Sequence, residues 1–229
     1  MYLYDQLPWN RQLLLDLQFR EYDGTMAFDH ARPHHPLTFH GTPTWRFNAN
    51  GLTYLDFEAL TPDWLDSDAL SSVDLDFTAG DFTLATWLSF ESVGFRYLMC
   101  RGLTDTDGWE WAIDTDSALW LRTNQAGVGA HQDTTSAIGA IPLTTFTLAV
   151  TVRDGASVVH YVNGALSLGT AGTHVNPVTS ARELHIGIAD SEAAGFFDGI
   201  LWRPRIWSGA LSAAQIASIY RVERGMLGV

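Results

Sequence analysis

The 229-residue chain contains no lysine and a single cysteine, Cys100, and both scarcities exclude something. Its 13 basic residues are all arginine, set against 26 acids, for a formal net charge of −13. Without a basic stripe to neutralise phosphates, general nucleic-acid binding and attachment to anionic membranes are disfavoured. One cysteine cannot close an internal disulfide, so the core must hold without a covalent staple. Cys100 lies in Tyr97-Leu98-Met99-Cys100, which reads as a buried strand, and only Arg101 hints at the electropositive setting a reactive thiol needs. No run approaches the ~20 apolar residues that cross a bilayer. The opening residues, Met1 to Asp5, lack the basic head and apolar core of a signal peptide, so a product made in the cytoplasm without a leader is expected. Repeats, linkers and low-complexity tracts are missing as well, which favours one domain over two.

What is present is a chain that is 46% hydrophobic and 17% charged, long enough to bury roughly 70% of its unfolded surface. Apolar residues alternate with others from Leu13 to Phe19, and a period of two recurs in 52–57, 82–90, 118–124, 146–153, 157–163 and 183–189. These are strands. Asp154-Gly155 and Asn163-Gly164 stand at the ends of such runs, where tight hairpins need residues that tolerate positive φ. No helical segment long enough for a parallel crossover interrupts them before about residue 207. An all-β, two-sheet antiparallel sandwich is therefore expected. One helix is signalled near the end: Ser212 and Gln215 can form a capping box, Leu211 can staple onto Ile216, and Ile216, Ile219 and Tyr220 make an apolar stripe. Arg221 and Arg224 suit its C-terminal dipole and Gly225 can end it, so this helix is expected to plug one end of the sandwich. Residues 1–10 read as an arm or a first edge strand, with Tyr2, Tyr4, Leu7 and Trp9 as candidate docking residues, and residues 11–229 as the single domain.

The order of these segments resembles a known family. Leu13-Leu14-Leu15-Asp16-Leu17, Asp23-Gly24-Thr25, Phe28-Asp29-His30 and Gly41-Thr42-Pro43-Thr44-Trp45 resemble the opening of the laminin-G-like jelly rolls of the concanavalin A-like lectin and glucanase superfamily. Phe82 to Leu88, Leu148 to Val152, Tyr161-Val162-Asn163-Gly164, Phe197-Asp198-Gly199, Arg205-Ile206-Trp207 and Ala210 to Ile216 follow in the same order. The resemblance implies a non-catalytic recognition or structural module, often with a calcium ion at one rim. Asp29 and Asp198 are then candidate rim ligands, and the run Asp105-Thr106-Asp107-Gly108 offers Asp105 and Asp107 as further candidate calcium ligands, with a loop of Asx-turns as the default. This chain departs from the pattern where two closing carboxylates are expected, since Trp202 and Arg203 stand there, removing oxygen ligands and adding a repelling charge.

Catalysis finds little support. A retaining glycosidase needs two carboxyls about 5–5.5 Å apart, and the nearest run, Glu110 to Asp116, sets Glu110 and Asp114 ~13 Å apart at ~3.3 Å per residue. Asp74 and Asp76 share a face without a third acid. His30, His34, His35 and His40 cluster in sequence but lack a partner cysteine and metal-ligand spacing. Asp63, Asp66 and Asp68 could donate oxygens to calcium, though a loop of Asx-turns is the default reading.

The nine tryptophans are the most suggestive feature, because aromatic faces stack on sugars and anchor protein partners. Trp45, Trp87, Trp109 and Trp111 read as core. Trp120 with Arg122, and Trp207 with Arg203 and Arg205, are the candidate ligand-binding residues, unless those arginines are buried partners of the excess acids. The expected function is a non-catalytic, surface-presenting protein of virion type, a capsid decoration or fibre component, binding a particle protein and assembling with itself. A carbohydrate-binding, lectin-like module is the alternative, ahead of a glucanase or lyase.

Overall fold

A computed structural model describes residues 8–32 and 34–229. Two antiparallel sheets face each other, as the alternating runs predict. The strands are β1 (Leu13–Asp16), β2 (Met26–Ala27), β3 (Leu37–His40), β4 (Thr44–Phe47), β5 (Thr53–Phe57), β6 (Trp64–Ser67), β7 (Phe82–Phe90) and β8 (Arg96–Leu103). They continue with β9 (Asp107–Ile113), β10 (Leu119–Asn124), β11 (His131–Thr135), β12 (Thr147–Asp154), β13 (Ser157–Val162), β14 (Ala165–Ser167), β15 (Leu184–Ile186) and β16 (Gly199–Trp207). The first sheet runs β14-β13-β12-β7-β16-β5-β4, with β1 also paired to β16; the second runs β11-β10-β9-β8-β15-β6-β3-β2. Strands remote in sequence become central neighbours, giving the jelly roll.

The period of two explains how the first sheet is covered on both faces. On β7, Phe82, Leu84, Leu88 and Phe90 point into the core between the sheets, whereas Ala85 and Trp87 point outward, yet all nine residues are buried. The outer face is covered by α1 (Ala213–Leu227), which lays Ile216, Ile219 and Tyr220 against Trp87, Trp202, Trp207, Leu148 and Val150. The helix thus lies across the outer face of the first sheet and does not plug an end of the sandwich. Its capping box forms as expected from Ser212 and Gln215. The helix runs through Gly225 and stops at Gly228, whose φ of 77° and N–H bond to the Arg224 carbonyl make a left-handed cap. A glycine inside a helix costs only about 1 kcal/mol, which packing of the apolar stripe outweighs.

Two hairpins form where the sequence places them. Asp154 pairs with Ser157, and Val162 pairs with Ala165 across Asn163 and Gly164, both at positive φ. β16 carries a bulge: Trp202 and Arg205 pair with Trp87 and Ala85, three steps on one strand against two on the other, and Arg203 sits at φ 58°. The extra residue puts Trp202 and Trp207 on the outer face while Leu201 and Ile206 stay in the inner core. Before β1, Pro8–Gln12 forms a 3₁₀ helix, and Trp9 packs on the outer cluster beside α1. Tyr2, Tyr4 and Leu7 lie outside the described residues.

Candidate ligand-binding site

The strand register builds a polar row across the outer face of the second sheet. Asp133, Arg122, Glu110, Cys100, His185, Asp66 and Thr38 face one another in turn from β11 to β3. Most of these groups are satisfied internally. Arg122 makes a bidentate pair with Asp133 at 2.7 Å and also reaches Thr104 Oγ1 at 3.0 Å. Glu110, nearly inaccessible, accepts from the Tyr97 hydroxyl, Thr104 and Asn124 Nδ2, each at 3.0 Å. Burial, with Glu110 adding to it, pushes the Tyr97 hydroxyl up and suppresses its ionisation. Burial also raises the Cys100 thiol well above its ordinary range, so this cysteine is a core residue. Trp120 is buried, with Arg122 4.7 Å over its ring and Phe95 and Tyr97 against its edges. Its face is not free to stack on a ligand.

The second half of the expected tryptophan and arginine surface lies on the other sheet, beneath α1. Arg205 and Trp207 are buried there, and Arg203 and Arg205 both pair with Glu223 of the helix. Glu223 of the C-terminal helix claims both arginines and Asp16 of β1 also takes Arg203, so they are committed within the first sheet's outer face and are not joined with Trp120 in one site.

The candidate calcium ligands are engaged separately. Asp29 is buried: Oδ1 accepts the Asp16 and Ala31 amides, and Oδ2 accepts the His35 amide and lies 2.7 Å from His35 Nδ1. Asp105 pairs with His131 at 2.6 Å, and the Gly129 amide and His131 hold its carboxyl below the usual range. Asp107 takes Arg182 at 2.9 Å, and Asp198 accepts from the Ala59 amide and the Ser92 hydroxyl. No three of these four acids bring ligand atoms together among the described residues. Asp114 lies beyond β9 and accepts two turn amides, and Asp74 is bound to His35. Asp63 takes the Thr42 and Glu58 amides, and Asp68 heads an Asx-turn through the Leu70 and Ser71 amides. The histidines separate, His35 going inside and His40 pairing with Asp66.

An open cleft of about 250 Å³ lies instead between residues 18–22, the β4–β5 loop and the end of α1. Gln18, Arg20, Tyr22, Asn50, Thr53 and Met226 line it. Phe19 is anchored in the core at φ 51°, and this turn leaves its neighbours Arg20 and Tyr22 exposed. Opposite, Asn48 Oδ1 accepts the Asn50 and Leu52 amides, and Asn48 Nδ2 donates to the Met226 carbonyl at 2.8 Å, tying the loop to the helix. Tyr22 stacks on Phe47 with ring centroids 5.9 Å apart and planes 8° from parallel, and each residue is 54% exposed. Arg20 makes no hydrogen bond or ion pair among the described residues. Gln18 Nε2 donates to Asp16 and Asn50 Nδ2 to the Met226 carbonyl, so the exposed aromatic platform and the Arg20 guanidinium are what suit a polar ligand with one apolar face. No tryptophan marks this cleft; its signals in the sequence are Tyr22 before Asp23-Gly24 and Phe47 before Asn48 to Gly51.

Residues 66–217 match a family model of the concanavalin A-like lectin/glucanases superfamily. No curated protein matches the chain. Among solved structures, the binding domain of botulinum neurotoxin DC in complex with SialylT is similar at a TM-score of 0.68 and 11% identity, over 93% of this chain and 51% of that one. The same domain in complex with rat synaptotagmin II is similar at 0.67 and 11%, over 93% and 52%. The botulinum neurotoxin serotype C1 binding domain is similar at 0.69 and 12%, over 93% and 53%. The chain thus spans about half the length of the toxin domains it resembles, and at these identities the likeness is one of fold.

Proposed function

The chain belongs to the concanavalin A-like lectin/glucanases superfamily, and from that premise we propose that it is a non-catalytic module that recognises carbohydrate in the cleft bounded by Arg20, Tyr22 and Asn50. One observation carries the reading: solvent-exposed Tyr22, stacked on the equally exposed Phe47, lines the cleft with Arg20, which has no ion pair among the described residues. A sugar offers a C–H face to such a platform and hydroxyls to Asn50, and in a chain of net charge −13 a guanidinium without an acid partner among the described residues favours a carboxylate-bearing sugar. The toxin binding domains of similar fold, crystallised with SialylT and with rat synaptotagmin II, support recognition of a glycan or a protein receptor as a use for this fold. The test is binding to a glycan array followed by titration calorimetry. Tyr22→Ala and Arg20→Ala should each weaken binding at least tenfold with unchanged melting temperature. Silence across the array, or full binding by both variants, overturns the proposal.

The carrier we favour is a virion-type particle, with this domain as a decoration or fibre protein that presents the cleft. A fold independent of disulfides and an acidic exterior support it. Removing residues 2–7 should abolish incorporation into the particle while the sandwich stays folded; normal incorporation would reject the docking arm.

A further inference from the structure

We infer that the outer face of the second sheet holds a divalent transition-metal site formed by Asp66, Glu183, His185 and Glu192. One donor atom from each residue lies within 4.8 Å of all the others. The sheet places three of them. His185 on β15 stands opposite Asp66 on β6, and Glu183, two residues before His185, has the same facing. Glu192 arrives from the connection between β15 and β16, where its φ of 53° and its N–H bond to the Ala189 carbonyl form a turn.

Charge is the first argument. His185 Nε2 is 3.1 Å from Glu192 Oε1 and 3.9 Å from Glu183 Oε2, with Asp66 in the same set. The His185 imidazole can satisfy one acceptor and His40 faces Asp66, so the two rings balance at most two of the three negative charges. The neighbouring guanidinium of Arg182 is committed to Asp107 and Asp190. A dication matches the three carboxylates where the described side chains do not.

The second argument is the histidine itself. Its side chain is 3% exposed and Nε2 is the ring nitrogen turned toward the acids, so a buried imidazole aims a donor atom into the set. His40 braces the set from β3, with Nε2 2.5 Å from Asp66 Oδ2 and its ring stacked on Trp64.

Donor chemistry selects the ion. Calcium and magnesium prefer all-oxygen shells, whereas an imidazole with carboxylates suits zinc or manganese. Tetrahedral zinc with bonds of ~2.0 Å needs donors about 3.3 Å apart, and Glu183 and Glu192, with side chains 44% and 46% exposed, are free to close that far. The bound ion would clamp the 187–198 connection, which carries Gly195 against Tyr97, onto the sheet.

The test is calorimetry and elemental analysis of metal-stripped protein titrated with Zn²⁺, Mn²⁺ and Ca²⁺. One Zn²⁺ or Mn²⁺ per chain is expected, with a rise in melting temperature, and Glu183→Gln with Glu192→Gln should weaken binding at least a hundredfold. Both glutamate side chains are nearly half-exposed, so this double variant should fold; His185→Gln should give the same loss. Absence of binding, undiminished binding by the double variant, or preference for Ca²⁺ overturns the site.

Discussion

Arg205 Nη1 and Nη2 each lie 2.8 Å from an oxygen of Glu223, in a bidentate pair buried between β16 and α1. The same carboxylate accepts Arg203 Nη1 at 2.7 Å and Trp87 Nε1 at 2.8 Å, so one helical acid gathers four donors from the outer face of the first sheet. The bulge in β16 makes this geometry, because without its extra residue Arg205 would turn toward the inner core. A carboxylate with four directional partners fixes where the helix sits along the sheet, which apolar contacts alone specify loosely.

Glu223→Ala should therefore destabilise the domain by about 3–5 kcal/mol, because it strands the buried Arg205 guanidinium without either acceptor. Replacing both partners, Arg205→Met with Glu223→Leu, should recover most of that loss. Urea unfolding of the two variants measures the difference; a Glu223→Ala variant within 1 kcal/mol of the parent would remove the pair from the account.

His35 gives the domain an alkaline limit. Burial works against its charge, but Asp29 at 2.7 Å from Nδ1 and Asp74 at 2.8 Å from Nε2 outweigh burial and raise the ring from 6.5 to about 9. A bridge that uses both ring nitrogens as donors requires the imidazolium. With the folded value above the unfolded one, this stabilisation is complete below pH 6.5 and disappears as pH climbs through 9. Urea midpoints should fall across that window in the parent, and His35→Gln should be weaker at pH 6.5 with a flatter profile.

His160 and His174 set the opposite limb. Burial lowers both to about 4, with the nearby Arg153 adding to the effect at His174. His160 hydrogen-bonds Thr151 and the Thr134 carbonyl, which works against burial without outweighing it, and His174 hydrogen-bonds the Thr123 and Thr134 hydroxyls. Here the folded value lies below the unfolded one, so stabilisation is complete above pH 6.5 and is lost as pH falls toward 4. Together the two limbs predict greatest stability near pH 6.5, and a midpoint that rises steadily from pH 6.5 down to 4 would contradict the assignment.

The residues that betray the fold are those whose local pattern and tertiary role agree. β7 alternates over nine residues, Asn163-Gly164 makes its hairpin, and Ser212 caps its helix. The polar edge strand β11, His131-Gln132-Asp133-Thr134-Thr135, offers no apolar period and is legible only once β10 is there to pair with it. The site is harder still. A one-residue bulge reverses the facing of everything after Trp202, and whether Trp120 is exposed depends on Phe95 and Tyr97, which no motif links to it. The cleft joins residues 18–22, 50–53 and 226, brought together by the jelly roll across some 200 positions, so its parts carry no shared spacing to find.

The helix offers the sharpest contrast between burial and mere presence. Ile216 is fully buried against the outer tryptophans, while Val222, six residues on, is 57% exposed. Ile216→Ala should cost about 2–5 kcal/mol through lost transfer free energy and an unfilled cavity, whereas Val222→Ala should stay within about 0.5 kcal/mol. Removing the chain after Ser208 tests the larger claim. Trp87, Trp202 and Trp207 would then face water as one apolar patch, which a monomeric domain rarely tolerates. A red shift of tryptophan emission together with self-association is expected on truncation, and an unshifted, monomeric truncated chain would show that the helix does not cover that face.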